Sequence, residues 1–151
     1  MKKPPLKIVL SVFVAFIFVQ SLFFKFTNSI ETIHIFSTLG DWANLAWFKE
    51  YGGYLVGTAE LITSILLFSR LHGLGAAMTV GIMSGAIFFH LFTPLGIAMP
   101  EFDAAGNIVG NDSGTLFVMA CLVWISGVIL LVKDMKNPEG ITYKLLNKGL
   151  K

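Results

Sequence analysis

Three ionisable residues stand within or at the edge of long apolar runs of this 151-residue sequence: Lys25, Glu60 and His90. A charge surrounded by hydrocarbon is costly, so a carboxylate in such a run is protonated, paired or turned toward a wet cavity, and ionisable groups of this kind mark functional sites by default. Glu60 therefore reads as a proton-accepting or ligand-binding group, with Lys25 or His90 supplying the complementary charge. The plainer alternative is a neutral glutamic acid hydrogen-bonded between helices. His90, beside Phe88, Phe89 and Phe92, has the polar atom and ring neighbours to hold a ring-shaped ligand such as a quinone head group. It equally suits an aromatic belt at a membrane boundary. Lys25 also fits an anchor whose stem lies along apolar surface while its head reaches water.

Other chemistries lack their residues. A single cysteine, Cys121, excludes an internal disulfide or a Cys-x-x-Cys redox pair. No two histidines are spaced i, i+4, and no Cys or Asp ligands cluster near His90, so neither a haem nor a metal motif is present. Glu101, Asp103 and Asp112 do not have the spacing of a calcium loop. No nucleophile–base motif and no phosphate-cradling glycine loop occurs. Redox chemistry, if the chain takes part in any, belongs to a bound cofactor, with quinone the candidate, or to a partner protein. His34 and His72 read as solvated loop residues.

The elements that position these residues follow from composition. Apolar residues make up 55% of the chain and charged residues 13%, with 14 Phe and a mean hydropathy of +0.76. Soluble domains carry roughly 25% charged residues, and so many apolar side chains cannot hide in a small water-soluble core. A bilayer core about 30 Å thick takes roughly 20 residues of helix, and backbone groups in lipid must be paired within the segment. Four runs qualify, at about 6–26, 53–69, 74–92 and 115–132. The expectation is an all-α, four-helix membrane bundle forming one domain over 1–151, with a basic tail at 133–151. Lys2, Lys3 and Lys7, followed by the apolar run from Ile8 to Phe24, resemble a signal peptide. The run is long, however, and no small-x-small pair precedes Lys25, so it reads as a retained helix.

Counting at 1.5 Å per residue from the Arg70 end puts Glu60 roughly 15 Å deep, His90 roughly 24 Å and Lys25 roughly 28 Å. In the loop 27–52, the stretch Ser29 to Phe36 suits a short interfacial helix capped by Asn28 or Ser29, and Trp42 and Trp47 suit the headgroup region. The brief Arg70-Leu71-His72-Gly73 connection makes its flanking helices antiparallel neighbours. Phe102 to Ile108 reads as a hairpin turn, Asn111 to Ser113 as caps for the last span, and the tail after Pro138 as a basic surface helix. Nine of the eleven Lys and Arg fall on one side, which by the positive-inside rule is cytoplasmic and holds both termini and the Arg70 anchor. Gly53 and Gly57, and Ala77, Gly81 and Gly85, stand four apart and allow close helix approach. They serve packing within the bundle or a homo-oligomer, and internal packing is the expectation.

Lys25 closing the first run, Gly57-Thr58-Ala59-Glu60-Leu61, Ser69-Arg70-Leu71, Phe89-His90-Leu91-Phe92-Thr93-Pro94-Leu95-Gly96 and Asn111-Asp112-Ser113-Gly114 together resemble the DoxX family over roughly 6–132. One departure is Leu22, where the family pattern leads one to expect glycine. The resemblance implies a four-span protein of a bacterial-type inner membrane, a partner of quinone-linked redox systems with Glu60, His90 and Lys25 lining a pocket. Two rivals stand beside it: a small proton-coupled transporter with Glu60 as carrier, and an assembly protein whose polar residues only fix helix packing. Partners are the bilayer, a redox protein or a second copy; no basic stripe outside the tails suits nucleic acid.

Overall fold

The computed structural model describes residues 5–148, so Lys2, Lys3 and Lys151 of the basic set, and the last residues of the tail, lie outside the described residues. Within them the chain forms six helices and one hairpin: α1 (Leu6–Phe26), α2 (Ile30–Ala43), α3 (Ala46–Leu66), α4 (His72–Phe92), β1 (Pro100–Phe102), β2 (Ile108–Asn111), α5 (Thr115–Met135) and α6 (Ile141–Lys148). The helices α1, α4 and α5 are each 21 residues long and apolar enough to cross a membrane. The fold is thus that of a helical membrane protein. α3 has the same length but carries Lys49, Glu50 and Glu60.

Each of α1 and α4 packs against both α3 and α5, giving a closed ring in the order α1, α3, α4, α5. The core between them contains Val14, Phe18, Leu67, Ala76, Met83, Val123 and Leu130. Ser11, near the start of α1, touches His72 at the start of α4, and His72 faces Asp134 near the end of α5. One end of the bundle therefore gathers the start of α1, the turn carrying Arg70, and the end of α5. The opposite end holds Lys25, His90, the hairpin and α2.

Local signals explain most boundaries. Ser29 caps α2 by accepting from the Thr32 amide, and Asn44 ends it in the left-handed region at φ 54°. That helix runs seven residues past the expected Phe36, and α3 begins at Ala46 rather than Gly53. The polar stretch around Lys49 and Glu50 is helical because its apolar side packs on α2: a Cβ on Gly52 would lie within the Phe36 ring contact, and Lys49 pairs with Asp41. His34, expected in a loop, lies within α2, half-buried with its ring 5.6 Å from that of Phe102. The small hairpin closes through Asp103, whose Oδ1 accepts from the amides of Ala105 and Asn107.

Asp112 joins this hairpin to α5. Its Oδ1 accepts from the Met99 and Gly114 amides and its Oδ2 from the Leu116 amide. Burial alone would raise this carboxyl, but the donors from Leu116, Met99 and Gly114, with His90 nearby, hold it below its ordinary 3.8. A depressed carboxyl contributes stability that is complete above its unfolded value and is lost as pH falls through the lower folded one. Asp112→Ala is expected to cost about 1–2 kcal/mol at neutral pH. The deficit should shrink below about pH 4, as read by thermal unfolding at several pH values. An equal deficit at pH 3 and 7 would show that the carboxylate charge is not what holds the junction.

Candidate functional site

Lys25 lies in the last turn of α1 and Ser21 one turn before it, on the same helix face. Across the α1–α3 seam stands Glu60, 3% exposed in the middle of α3. The Lys25 ammonium donates to Glu60 Oε2 at 2.8 Å, to Oε1 at 3.1 Å and to Ser21 Oγ at 2.9 Å. Ser21 Oγ lies 2.7 Å from Glu60 Oε2 and 2.8 Å from the Phe18 carbonyl, and its single proton serves one of them at a time. The carboxylate is thus held by an ammonium and a hydroxyl. The Lys25 side chain keeps 18% of its surface exposed, so the pair is reached from the lysine side.

Two features let the helices come this close. A Cβ on Gly57, one turn before Glu60, would lie 2.8 Å from the Phe26 ring and 3.5 Å from Leu22. The room that a glycine at position 22 would provide on α1 is therefore supplied from α3. Gly53 does the same for α2, against Thr32 at 3.1 Å. Beyond the pair, Tyr54 stacks on Phe26 with ring centroids 6.1 Å apart and accepts a hydrogen bond from Asn28 at 2.7 Å.

His90 is not part of this cluster. It lies on the α4–α5 side of the ring, with Nδ1 2.6 Å from the Gly96 carbonyl and its ring edge-on to Phe117 at 5.8 Å. A carbonyl only accepts, so Nδ1 carries the hydrogen, and Nε2 of the neutral ring is left as an acceptor. Gly96 turns its carbonyl inward from a left-handed conformation, φ 74°. Of the phenylalanines flanking His90 in sequence, Phe88 and Phe92 are exposed and face an open groove of about 380 Å³ with Ser84, Ile87 and Trp124. A second groove of about 400 Å³, between Val12, Phe16, Gln20 and Phe68, is almost wholly apolar. Neither of these grooves is lined by Lys25, Glu60 or His90.

The small residues divide in the same way. Gly53 and Gly57 are packed, whereas a Cβ on Gly81 or Gly85 would meet no atom of the chain within 4 Å. Internal packing was the expectation for the set Ala77, Gly81 and Gly85, and at Gly81 and Gly85 it does not hold. Arg70 is exposed in the turn between α3 and α4.

A second polar cluster, absent from the sequence reading, fills the Arg70 end. His72 is 3% exposed rather than solvated, because it opens α4 against the neighbouring helices. Its Nε2 is 3.2 Å from Ser11 Oγ and its Nδ1 is 3.8 Å from Asp134 Oδ1. Asp134 Oδ2 accepts from the Thr142 amide at 3.0 Å and from the Thr142 hydroxyl. The residue types match a nucleophile, base and orienting acid. Ser11 is 1% exposed, however, so no acyl substrate reaches its hydroxyl.

No protein-family model, curated protein or solved structure matches this chain. Its class rests on its own features: a helical membrane protein with one buried ion pair near one end and a histidine–aspartate cluster at the other.

Proposed function

We propose that this is a DoxX-like protein of a bacterial-type inner membrane that crosses the bilayer four times, with both termini cytoplasmic, and serves a quinone-linked redox partner. The observation that carries this reading is the buried Lys25–Glu60 pair. An ion pair away from water gains little over well-packed apolar side chains and costs more to desolvate. A bundle already closed by small residues such as Gly57 does not need one for packing, so its presence favours chemistry. By exchanging one of its three bonds to Glu60 and Ser21, the ammonium would donate to a quinone carbonyl, and the carboxylate freed of that bond would accept from a quinol hydroxyl. His90 Nε2, at the same end of the bundle, is a second proton acceptor. Electrons would come from the partner, because the chain has neither a dithiol nor a haem motif.

Topology supports the four crossings. With α1 and α4 both starting at the Arg70 end, α3 runs back along the bundle between them. It must cross if its neighbours do. The excess of Lys and Arg at that end makes it cytoplasmic. The transport rival has less support, since fully buried Val14, Phe18, Val123 and Leu130 form an apolar layer in the bundle core.

The test is a titration of decyl-ubiquinone into the protein in nanodiscs, read by tryptophan fluorescence. Saturable binding that weakens more than tenfold in Glu60→Gln, with the variant still monodisperse, is the expected result. Binding that is absent, or equal in the variant, would overturn the reading. A pH-driven proton flux in liposomes that Glu60→Ala abolishes would favour the transporter instead.

A further inference from the structure

Gln20 is the only asparagine or glutamine in the four long helices α1, α3, α4 and α5. It follows the buried Phe18 by two residues, which turns it about 200° around the helix, away from the core, and it is exposed. The side-chain hydrogen bonds that join α1 to other long helices come from Ser11, Ser21 and Lys25. Among the described residues none involves the Gln20 amide. Counting from Leu6 puts it roughly 21 Å along a helix about 31 Å long, within a hydrocarbon core about 30 Å thick. Side chains of an α-helix tilt toward its N-terminus, so this amide leans toward mid-membrane and away from the nearer Lys25 end. Its carbonyl and its NH₂ both call for partners, and lipid tails supply neither.

We propose that two copies of the chain pair through the outer face of α1, in a parallel contact closed by reciprocal hydrogen bonds between their Gln20 amides. The surface around Gln20 has the form of such a contact. Val9, Val12, Phe16, Val19 and Phe23 are all exposed, and their steps of three, four, three and four are those of a seam that keeps facing a second helix. Gln20 borders this seam. Beside it runs the apolar groove of about 400 Å³ that Val12, Phe16, Val19, Gln20 and Phe68 line. Copies of one chain insert the same way round, so Phe16 of a second copy stands at the depth of the middle of this groove. Gln20 of the second copy stands at the depth of Gln20. A two-fold axis along the membrane normal brings the same patch of each copy together, and each amide then gives its NH₂ to the other's carbonyl.

Lipid covers the valines and phenylalanines of this face as well as protein does; the amide is what lipid does not satisfy. A helix from another protein would need a polar group of its own at that depth, which a second copy always has. The open stripe at Gly81 and Gly85 makes no such demand, because the exposed Ser84 hydroxyl beside it already accepts from Trp124 of the same chain at 2.9 Å. The pairing requires only that α1 spans the bilayer, and it engages neither Lys25 nor Glu60.

The experiment uses the full chain in liposomes, with Cys121→Ser and a donor or acceptor fluorophore on Ala104→Cys in the exposed hairpin turn. Energy transfer should rise with the protein-to-lipid ratio, saturate, and vary linearly with the acceptor fraction, as it does for a dimer. Gln20→Leu should weaken the association roughly three- to thirtyfold, the range for polar side chains that bridge helices in lipid. Gly81→Leu should leave it unchanged. A monomer at every ratio, a dimer equally stable in Gln20→Leu, or a dimer lost in Gly81→Leu overturns the proposal. Should Gln20→Leu fail to fold, oxidative cross-linking of chains that keep Gln20 decides it. A single cysteine at Phe16 or Val19 should join two copies, and one at Leu122, on the exposed side of α5, should not. No cross-link at Phe16 and Val19, or an equal one at Leu122, refutes the pairing.

Discussion

Lys25→Met lowers the stability of the bundle by about 3–5 kcal/mol, and adding Glu60→Met restores most of that loss. The asymmetry comes from what each change leaves behind. Without the ammonium, Glu60 remains 3% exposed in the α1–α3 seam with only Ser21 to hold it. Without both charges the seam becomes two thioethers beside Leu22, Phe26 and Gly57, and methionine adapts readily to irregular gaps. A double-mutant cycle on thermal unfolding in mild detergent measures the coupling directly. Additive single and double losses would mean that the pair is not coupled, and the case for a chemical role of Glu60 would lose its foundation.

The depth count that puts Lys25 near the far end of α1 and Glu60 within α3 is legible in the sequence because a helix in lipid has a fixed rise per residue. Which of the two candidates pairs with Glu60 is not legible. Lys25 and His90 lie toward the same end of the bundle, and only the ring order α1, α3, α4, α5 separates them, giving Lys25 to the α3 seam and His90 to α5. The last span is announced by Asp112 and the residues around it, since capping is local chemistry. The same is true of the turn at Asp103. The first two turns of α3 are hidden, because Lys49 and Glu50 read as a polar loop and their helix depends on Phe36 of another element. His72 is hidden for a related reason. Its burial depends on Ser11, 61 residues away, and on Asp134, in a segment whose surrounding lysines suggest a solvated tail. A signal was available there: an acid set between Lys133 and Lys136, with glycines at 73 and 140. It has meaning only once those positions are known to meet.

The glycines carry the other large effect, and it reverses what spacing suggests. Gly75→Leu is expected to cost about 3 kcal/mol or more, whereas Gly81→Leu leaves stability unchanged or slightly raised. At position 75 a Cβ would sit 2.9 Å from the Leu67 backbone nitrogen and 3.1 Å from the Leu66 carbonyl carbon. Those are main-chain atoms of the tight turn between α3 and α4, which cannot swing aside as a side chain can. The damage should extend to the ends of both helices and weaken the His72 cluster three residues earlier. At position 81 the added side chain projects from an exposed face with no atom of the chain within 4 Å of its Cβ. Replacing glycine within a helix also removes a cost of about 1 kcal/mol in backbone freedom. Spacing alone marks Gly81 and Gly85 as the contact stripe, being four apart and in line with Ala77. What decides the outcome is which side of α4 meets another helix, and that side carries Ala76, Thr79 and Met83, all buried. Parallel unfolding curves for the two variants test this reading. Equal destabilisation would put Gly81 in a contact that the ring of four helices does not contain.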